Sequence, residues 1–500
     1  MSLEDKALLT SGRDAWSTQP IERLEIPYIW VADGPHGLRR APSTDTWGYG
    51  DQLPATCFPT ASALSATWDV ALLREVGQAL GNEARALGVN VLLGPGVNIK
   101  RSVLGGRNFE YFSEDPYLSG KLGAAYIEGV QGQGVGTSLK HFVANNVETE
   151  RMWANSDVDD RTLNEIYMTP FEIAVREAQP WSVMACYNRV QGVYCTESQE
   201  LLTRKLKQEW GFEGIVISDW AAVIDRVEGI RAGMHLEMPG KPGHLTNRMV
   251  IEAVRNGELE EAQLDRVVRD ILRVVLKAHD IAGMSKDQKL DEHHSLARRV
   301  ASEAITLLKN DDALLPLAPD RYRKIAVIGE FAVNPRYQGN GSSEVLRIIS
   351  SHILDDGDLL EPSMTNKFSG EHVPGIWFRG FGERRWEQVL LAEDVDGTVV
   401  TVRPILDLRL SWIDDNEESR FDNLEPVDGV NRSLPYAPHT IGKAGLSVAF
   451  TSHPDETTNV CKLVLPAADS FEDWGDEMPR RGLHLLRQPS MSPTQVIYRP

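Results

Sequence analysis

Apolar residues in the first half of the chain gather into short unbroken runs. The runs are Tyr28–Ala32, Val89–Leu93, Gly136–Phe142, Trp181–Cys186, Gly214–Ser218 and, more weakly, His235–Met238. Continuous runs suit parallel strands covered on both faces, whereas alternation marks a half-exposed sheet. Segments of helical period lie between several of them. The clearest is Asp69–Leu87, where Val70, Leu73, Val76, Leu80, Ala84 and Leu87 recur at steps of three or four and Gly88 stops the helix. Glu197–Trp210, Met249–Asn256 and Leu264–Ala282 read the same way, and Ser2 with Asp5 marks a helix start. Repeated strand–helix units over about 250 residues predict an α/β fold, a (β/α)₈-like TIM-type barrel across residues 1–300.

The barrel rule puts functional groups at the C-terminal strand ends. Those ends carry Asp33-Gly34-Pro35, Gly94-Pro95-Gly96, Lys140-His141, Tyr187-Asn188, Asp219-Trp220 and Glu237-Met238-Pro239. Glycine and proline count for little, because any barrel turns there. The charged residues could converge on one cleft. Asp219 is the most pointed of them, a single carboxylate at the mouth of a buried strand; it would equally suit the N-cap of a following helix, Ala221–Arg231. Lys140 and His141 are neighbours and face opposite ways on a regular strand, so both reach one cleft only if the strand bends there.

Val300–Lys309 reads as a short helix, residues 301–323 contain a linker, and Lys324–Gly329 is a buried strand that should open a second α/β sandwich domain. That domain reads as truncated, 324–347. Over 348–430, strand-like pieces such as Gly397–Val402 mix with acidic clusters such as Asp414–Glu418, with no assignment. At 500 residues the chain is too long for one core. A net charge of −20 and a pI near 5.1 argue against nucleic-acid or acidic-membrane partners. No apolar stretch approaches the roughly 18 residues that span a bilayer, and the N-terminus lacks a secretory signal pattern. A cytoplasmic location is expected. The four cysteines lack metal-site spacing; Cys186 and Cys195 could pair if oxidised, but free thiols are expected.

Seven motifs then resemble glycoside hydrolase family 3, the family of many β-glucosidases, over about residues 3–343. They are ADGPHGLR (Ala32–Arg39), GGRNFEYFSEDP (Gly105–Pro116), KHFVANNVETER (Lys140–Arg151), DDRTLNEIYMTPFE (Asp159–Glu172), SVMACYNRVQG (Ser182–Gly192), EWGFEGIVISDW (Glu209–Trp220) and LLKNDDALLPL (Leu307–Leu317). The resemblance implies retaining hydrolysis of terminal β-D-glucosides, without a cofactor or metal. In that scheme one carboxylate attacks the anomeric carbon and a second, about 5–5.5 Å away, protonates the departing oxygen. Asp219 falls on the family's nucleophile. Asp33, Arg39, Arg107, Lys140, His141, Arg151 and Tyr187 fall on its sugar clamp. Carboxylates beside Arg or Lys suit hydroxyls that both donate and accept. Trp220 would stack under a sugar ring, with core packing as its other role, and Met184 would line the pocket or fill the core. For Lys140 the other role is a buried salt bridge, and for His141 a satisfied core histidine.

Two departures lie inside the match. Gln191 replaces the family's usual Asn, and His235 stands where an Asp is usual and could alter electrostatics near the cleft. The acid/base Glu, which similar enzymes carry in the second domain, has no recognisable loop here. Glu344, Glu383 and Glu417 are carboxylates without a supporting motif. Residues 431–500, with NRSLPYAP (Asn431–Pro438) and HPDETTNVCKLVLPAADSFEDWGD (His453–Asp476), resemble a stretch of molybdopterin oxidoreductases. A non-catalytic sugar binder on the same barrel and, behind it, an oxidoreductase fragment are the alternative functions.

Overall fold

A computed structural model describes residues 1–42, 52–280, 287–310, 315–316 and 343 in full, with the backbone of five further strands between 375 and 465. The strand expected at Lys324–Gly329, the carboxylates Glu344, Glu383 and Glu417, and most of 431–500 lie outside the described residues. The chain divides into two compact units, residues 1–304 with 338–348, and residues 305–337 with 349–500.

The first unit is built on a parallel sheet of five strands: β1 (Val31–Ala32), β2 (Val91–Leu92), β3 (Gly136–Phe142), β4 (Ser182–Ala185) and β5 (Ile215–Ser218). They neighbour one another in chain order. Every residue of the five is buried, which suits their largely apolar sequences; β3 is the exception, carrying Lys140 and His141 near its end. Beyond β5 the pairing continues through single bridges. Ile217 pairs with Leu236, Glu237 with Ser11, Gly12 with Thr18, and Ser17 with Trp30 at the edge of β1. The α/β architecture holds. The expected His235–Met238 strand, however, is reduced to bridges, and two of the bridged pairings are antiparallel. The central sheet of this unit is therefore five parallel strands and a chain of bridges, where eight parallel strands were expected.

Helices cover this sheet. The segment expected at Asp69–Leu87 is the Val70–Ala86 helix. Asp69 caps it, its side chain accepting from the Ala71 and Leu72 amides at 2.8 and 3.0 Å, and Gly88 ends it at φ +72°. It packs against the Pro116–Gln131 helix through paired glycines. A Cβ on Gly77 would lie 2.4 Å from the Tyr126 carbonyl oxygen, and one on Gly129 2.2 Å from that of Arg74. Ser2 and Asp5 form the expected reciprocal cap of Leu3–Leu9.

Several helix boundaries differ from expectation. The helix after Asp219 runs Arg226–Ala232 and is capped by Asp225; Ala221, where it was expected to begin, takes a left-handed φ of +64° that excludes a start there. The expected 300–309 helix is the end of Leu290–Ala304, followed by an extended Lys309–Asn310. Glu200–Glu209 winds with π geometry behind a 3₁₀ turn at Cys195–Glu197.

In the second unit six strands form one sheet. Gly375–Arg379, Trp386–Glu393 and Val399–Pro404 pair antiparallel in succession. Ser447–Phe450 and Leu463–Leu465 add parallel, and Lys309–Asn310 closes the order antiparallel.

Candidate active site

The C-terminal ends of the sheet bring the charged residues together. β1 runs into Asp33, whose carbonyl accepts from the Arg39 amide at 3.0 Å. After β2, Gly96 bridges both Lys140 and Tyr111. The loop that follows carries Arg107 and Glu110 on a short 3₁₀ turn. In β3 the register shifts between Leu139 and Phe142, which is the bend that Lys140 and His141 require. β4 leads to Tyr187, and β5 to Asp219.

Glu110 is the hub. Its carboxylate, fully buried, accepts from Arg107 Nε and Nη2 at 2.8 and 3.0 Å and pairs with Lys140 Nζ at 2.9 Å. Burial pushes its pKa up, but Arg107 and Lys140 outweigh burial and hold it well below the usual carboxylate range. The Lys140 ammonium lies 3.8 Å from Asp33. Lys140 is thus both the buried ion pair weighed above and a neighbour of the cleft.

His141 is held from all sides. Its amide donates to Asn98 Oδ1 at 2.7 Å and its carbonyl accepts from Asn98 Nδ2 at 3.0 Å. Arg107 Nη2 lies 2.9 Å from Nε2, and the Tyr111 hydroxyl 3.1 Å from Nδ1. A guanidinium only donates, so Nε2 accepts and Nδ1 carries the proton. Burial, then Arg107 and Lys140, hold the imidazole pKa well below its ordinary value, so the ring is neutral. Its Nε2 stands 3.8 Å from Asp219 Oδ2 without forming an ion pair.

Asp219 is buried at 7% exposure. Oδ1 accepts from the Trp220 amide at 2.7 Å, while Oδ2 has no hydrogen-bond partner among the described residues. Burial raises its pKa; Arg107, the Trp220 amide, Arg151 and Lys140 restrain that rise. Tyr187 is buried beside it, its hydroxyl pKa pushed up by burial and then by the charge of Asp219. Arg151 closes one side, its guanidinium 4.8 Å from the Tyr187 ring centre and 2.9 Å from Glu148. Trp220 is half-buried, donates from its ring nitrogen to the Ala15 carbonyl at 2.9 Å, and meets Trp16 at 5.7 Å between centres. Met184 is 2% exposed within the apolar core, the filler role.

Three readings change. Asp219 caps no helix. Glu110, Tyr111 and Asn98 hold the site yet were not singled out. Glu110 had a signal, an acid three residues after Arg107 inside a quoted motif; Asn98, flanked by Val97 and Ile99, had none. His235 lies at the opposite end of β5 from Asp219. Its Nδ1 accepts from Val216 at 3.0 Å and its Nε2 faces Asp270 at 3.3 Å. Burial takes its pKa down to about 4, so it is a neutral core residue.

Among the described residues no cluster of three or more His, Cys, Asp or Glu could hold a metal ion, and no helix is long and apolar enough to cross a membrane.

The Glycosyl hydrolase family 3 N terminal domain matches residues 2–274, a span that takes in Asp219 and its whole surround. The chain belongs to glycoside hydrolase family 3. The family's C-terminal domain matches residues 305–404, so the likeness continues past Ser343, where the motifs had ended it. Neither match passes residue 404, and the likeness of 431–500 to molybdopterin oxidoreductases finds no support. Among curated relatives, the thermostable beta-glucosidase B of Acetivibrio thermocellus is 52% identical over 346 residues, 69% of this chain and 45% of that one. An exo-alpha-(1->6)-L-arabinopyranosidase of Bifidobacterium breve is 48% identical, over 71% and 48%. Among solved structures, beta-glucosidase 3B of Thermotoga neapolitana in complex with glucose shares 40% identity at a TM-score of 0.65, over 69% of this chain and 51% of that one. The Bifidobacterium adolescentis GH3 beta-glucosidase shares 37% at 0.68, over 95% and 62%. The chain spans about half the length of the curated relatives it matches.

Proposed function

We propose that this protein is a retaining glycosidase of the β-glucosidase type, with Asp219 as the nucleophile toward terminal β-D-glucosides. The observation that carries the reading is the bare, buried Oδ2 of Asp219 at a strand end. With Oδ1 held by the Trp220 amide, Oδ2 is the oxygen left to attack an anomeric carbon, and the Tyr187 hydroxyl stands beside the carboxylate. Asp33, Lys140, Arg39 and Arg151 would grip the hydroxyls, and Trp220 with Trp16 would carry the apolar sugar face. We read the ring of strands and bridges as a (β/α)₈ barrel in reduced form, and the free buried thiols Cys186 and Cys195 fit a cytoplasmic setting.

The departing oxygen still needs a proton. Glu110 is ionised and spent on two cations, and Glu148 is paired with Arg151. General acid help is worth about 10²–10⁴-fold, so alkyl glucosides suffer most without it and dinitrophenyl glucosides least. The likeness to an arabinopyranosidase favours a second substrate, a pyranoside lacking the hydroxymethyl group.

Incubation with dinitrophenyl 2-deoxy-2-fluoro-β-glucoside, followed by peptide mass measurement, tests the reading. A sugar adduct on the Asp219 peptide is expected. Saturable glucose binding without an adduct would instead leave a sugar-binding protein. Competition against the matching α-L-arabinopyranoside ranks the two substrates.

A further inference from the structure

We propose that Glu110 is a positioning residue of this site: by holding Arg107 it keeps that cation off Asp219 Oδ2 and leaves that oxygen free to attack, and by holding Lys140 it keeps the ammonium from closing on Asp33. The proposal rests on the assignment of Asp219 as nucleophile.

The geometry is one of competition. Arg107 has two of its nitrogens on Glu110 and turns Nη2 toward His141 Nε2 at 2.9 Å. That same imidazole nitrogen is 3.8 Å from Asp219 Oδ2. Arg107 is therefore one ring away from the only oxygen of Asp219 that lacks a partner among the described residues. Lys140 divides its reach between Glu110 at 2.9 Å and Asp33 at 3.8 Å. A carboxylate with no exposed surface cannot touch a substrate, so Glu110 can act only through these two cations.

Removing its charge would release both. Lys140 would move onto Asp33, and Arg107 would pass His141 to bond Asp219. A carboxylate so bonded is a weaker nucleophile and a stronger acid. The other groups facing Asp219 are unchanged by the substitution: neutral His141 from β3, Tyr111 from the loop after β2, Tyr187 and Cys186 after β4, Arg151 from its own loop, and Asp33 after β1.

The test compares the full-length protein with Glu110→Gln and Glu110→Asp. The acidic limb of kcat/KM for a dinitrophenyl β-glucoside is measured, together with the carbon-13 titration of the Asp219 carboxyl, identified by its loss in Asp219→Asn. In Glu110→Gln we expect the limb and the titration to move together to lower pH by about one unit or more, and the glycosylation rate to fall about 100-fold. Glu110→Asp keeps the charge but reaches less far, and should recover most of both; should Glu110→Gln not fold, a smaller shift of the same sign in Glu110→Asp carries the proposal. An unmoved titration in a folded variant overturns it, even where activity is lost. A wild type that forms no adduct on Asp219 overturns the nucleophile assignment instead, and the titration still decides whether Glu110 governs that carboxyl.

Discussion

Asp219 has one oxygen tied down and one left bare in a buried setting, and the consequences are measurable. Replacing it with Asn should abolish the adduct and lower turnover of activated glucosides by at least about 10⁴-fold, as loss of a nucleophile does elsewhere. The group must be ionised to attack, and burial raises its pKa above the ordinary 3.8. Activity should therefore fall on acidification at a pH above that ordinary value. The linkage sign follows. The folded state takes up this proton more readily than the unfolded chain, so ionised Asp219 costs stability near neutrality and the cost fades as pH drops through its folded value. Asp219→Asn should then melt higher than wild type at pH 7, an outcome that calorimetry would check. Glu110 has the opposite sign. Its pKa is held low, so its contribution stands above the ordinary carboxylate range and is lost only as pH falls through the depressed value. Glu110→Gln should lose about 3–5 kcal/mol of stability, because two buried cations lose their anion. Asp219 was legible in the chain because an apolar run ends on it. Asn98 was not, because its role depends on a backbone brought to it from β3.

At the scale of elements, the long helix was readable down to its caps. Asp69→Ala should cost about 1 kcal/mol, the ordinary value of an N-cap, seen as a shift of the denaturant midpoint. Gly77→Ala presses on a carbonyl oxygen of the neighbouring helix. Helix propensity alone would reward that change by roughly 0.5–1 kcal/mol, but overpacking costs about 1–3 kcal/mol, so a net loss is expected. Sequence periodicity marks which face is apolar and says nothing of how closely two backbones approach. Strand ends were harder. The run His235–Met238 alternates polar and apolar residues, forms only bridges, and has Arg226 donating to its His235 carbonyl at 2.9 Å. The bulge at Lys140–His141 was foreseeable only as a condition, since two adjacent charged residues share a cleft only where the pleat is broken.

For the whole molecule, the decisive facts are that the family matches run to residue 404 and that the chain covers less than half of its curated relatives. On the proposed reading the first unit supplies a nucleophile and a clamp, and the glutamates placed at the site, Glu110 and Glu148, are already paired with cations. We expect dinitrophenyl glucosides to outpace methyl glucosides by more than the roughly 10²–10⁴-fold that general acid help is worth. Glu344→Gln, Glu383→Gln and Glu417→Gln, assayed on both donors, identify any acid among them: that variant loses activity on the alkyl glucoside alone.

The order of apolar runs and helical periods determined the α/β class and the strand ends on which Asp33, Lys140, His141, Tyr187 and Asp219 stand. Those are local properties, written in residue type and spacing. Tertiary structure decided the rest. It made Lys140 a partner of Glu110, gave His141 its proton position, and sent His235 to the far end of β5. It also reduced the expected His235–Met238 strand to bridges. Each of these depends on which distant backbone or charge arrives beside a side chain, and burial then multiplies the energy of that neighbour.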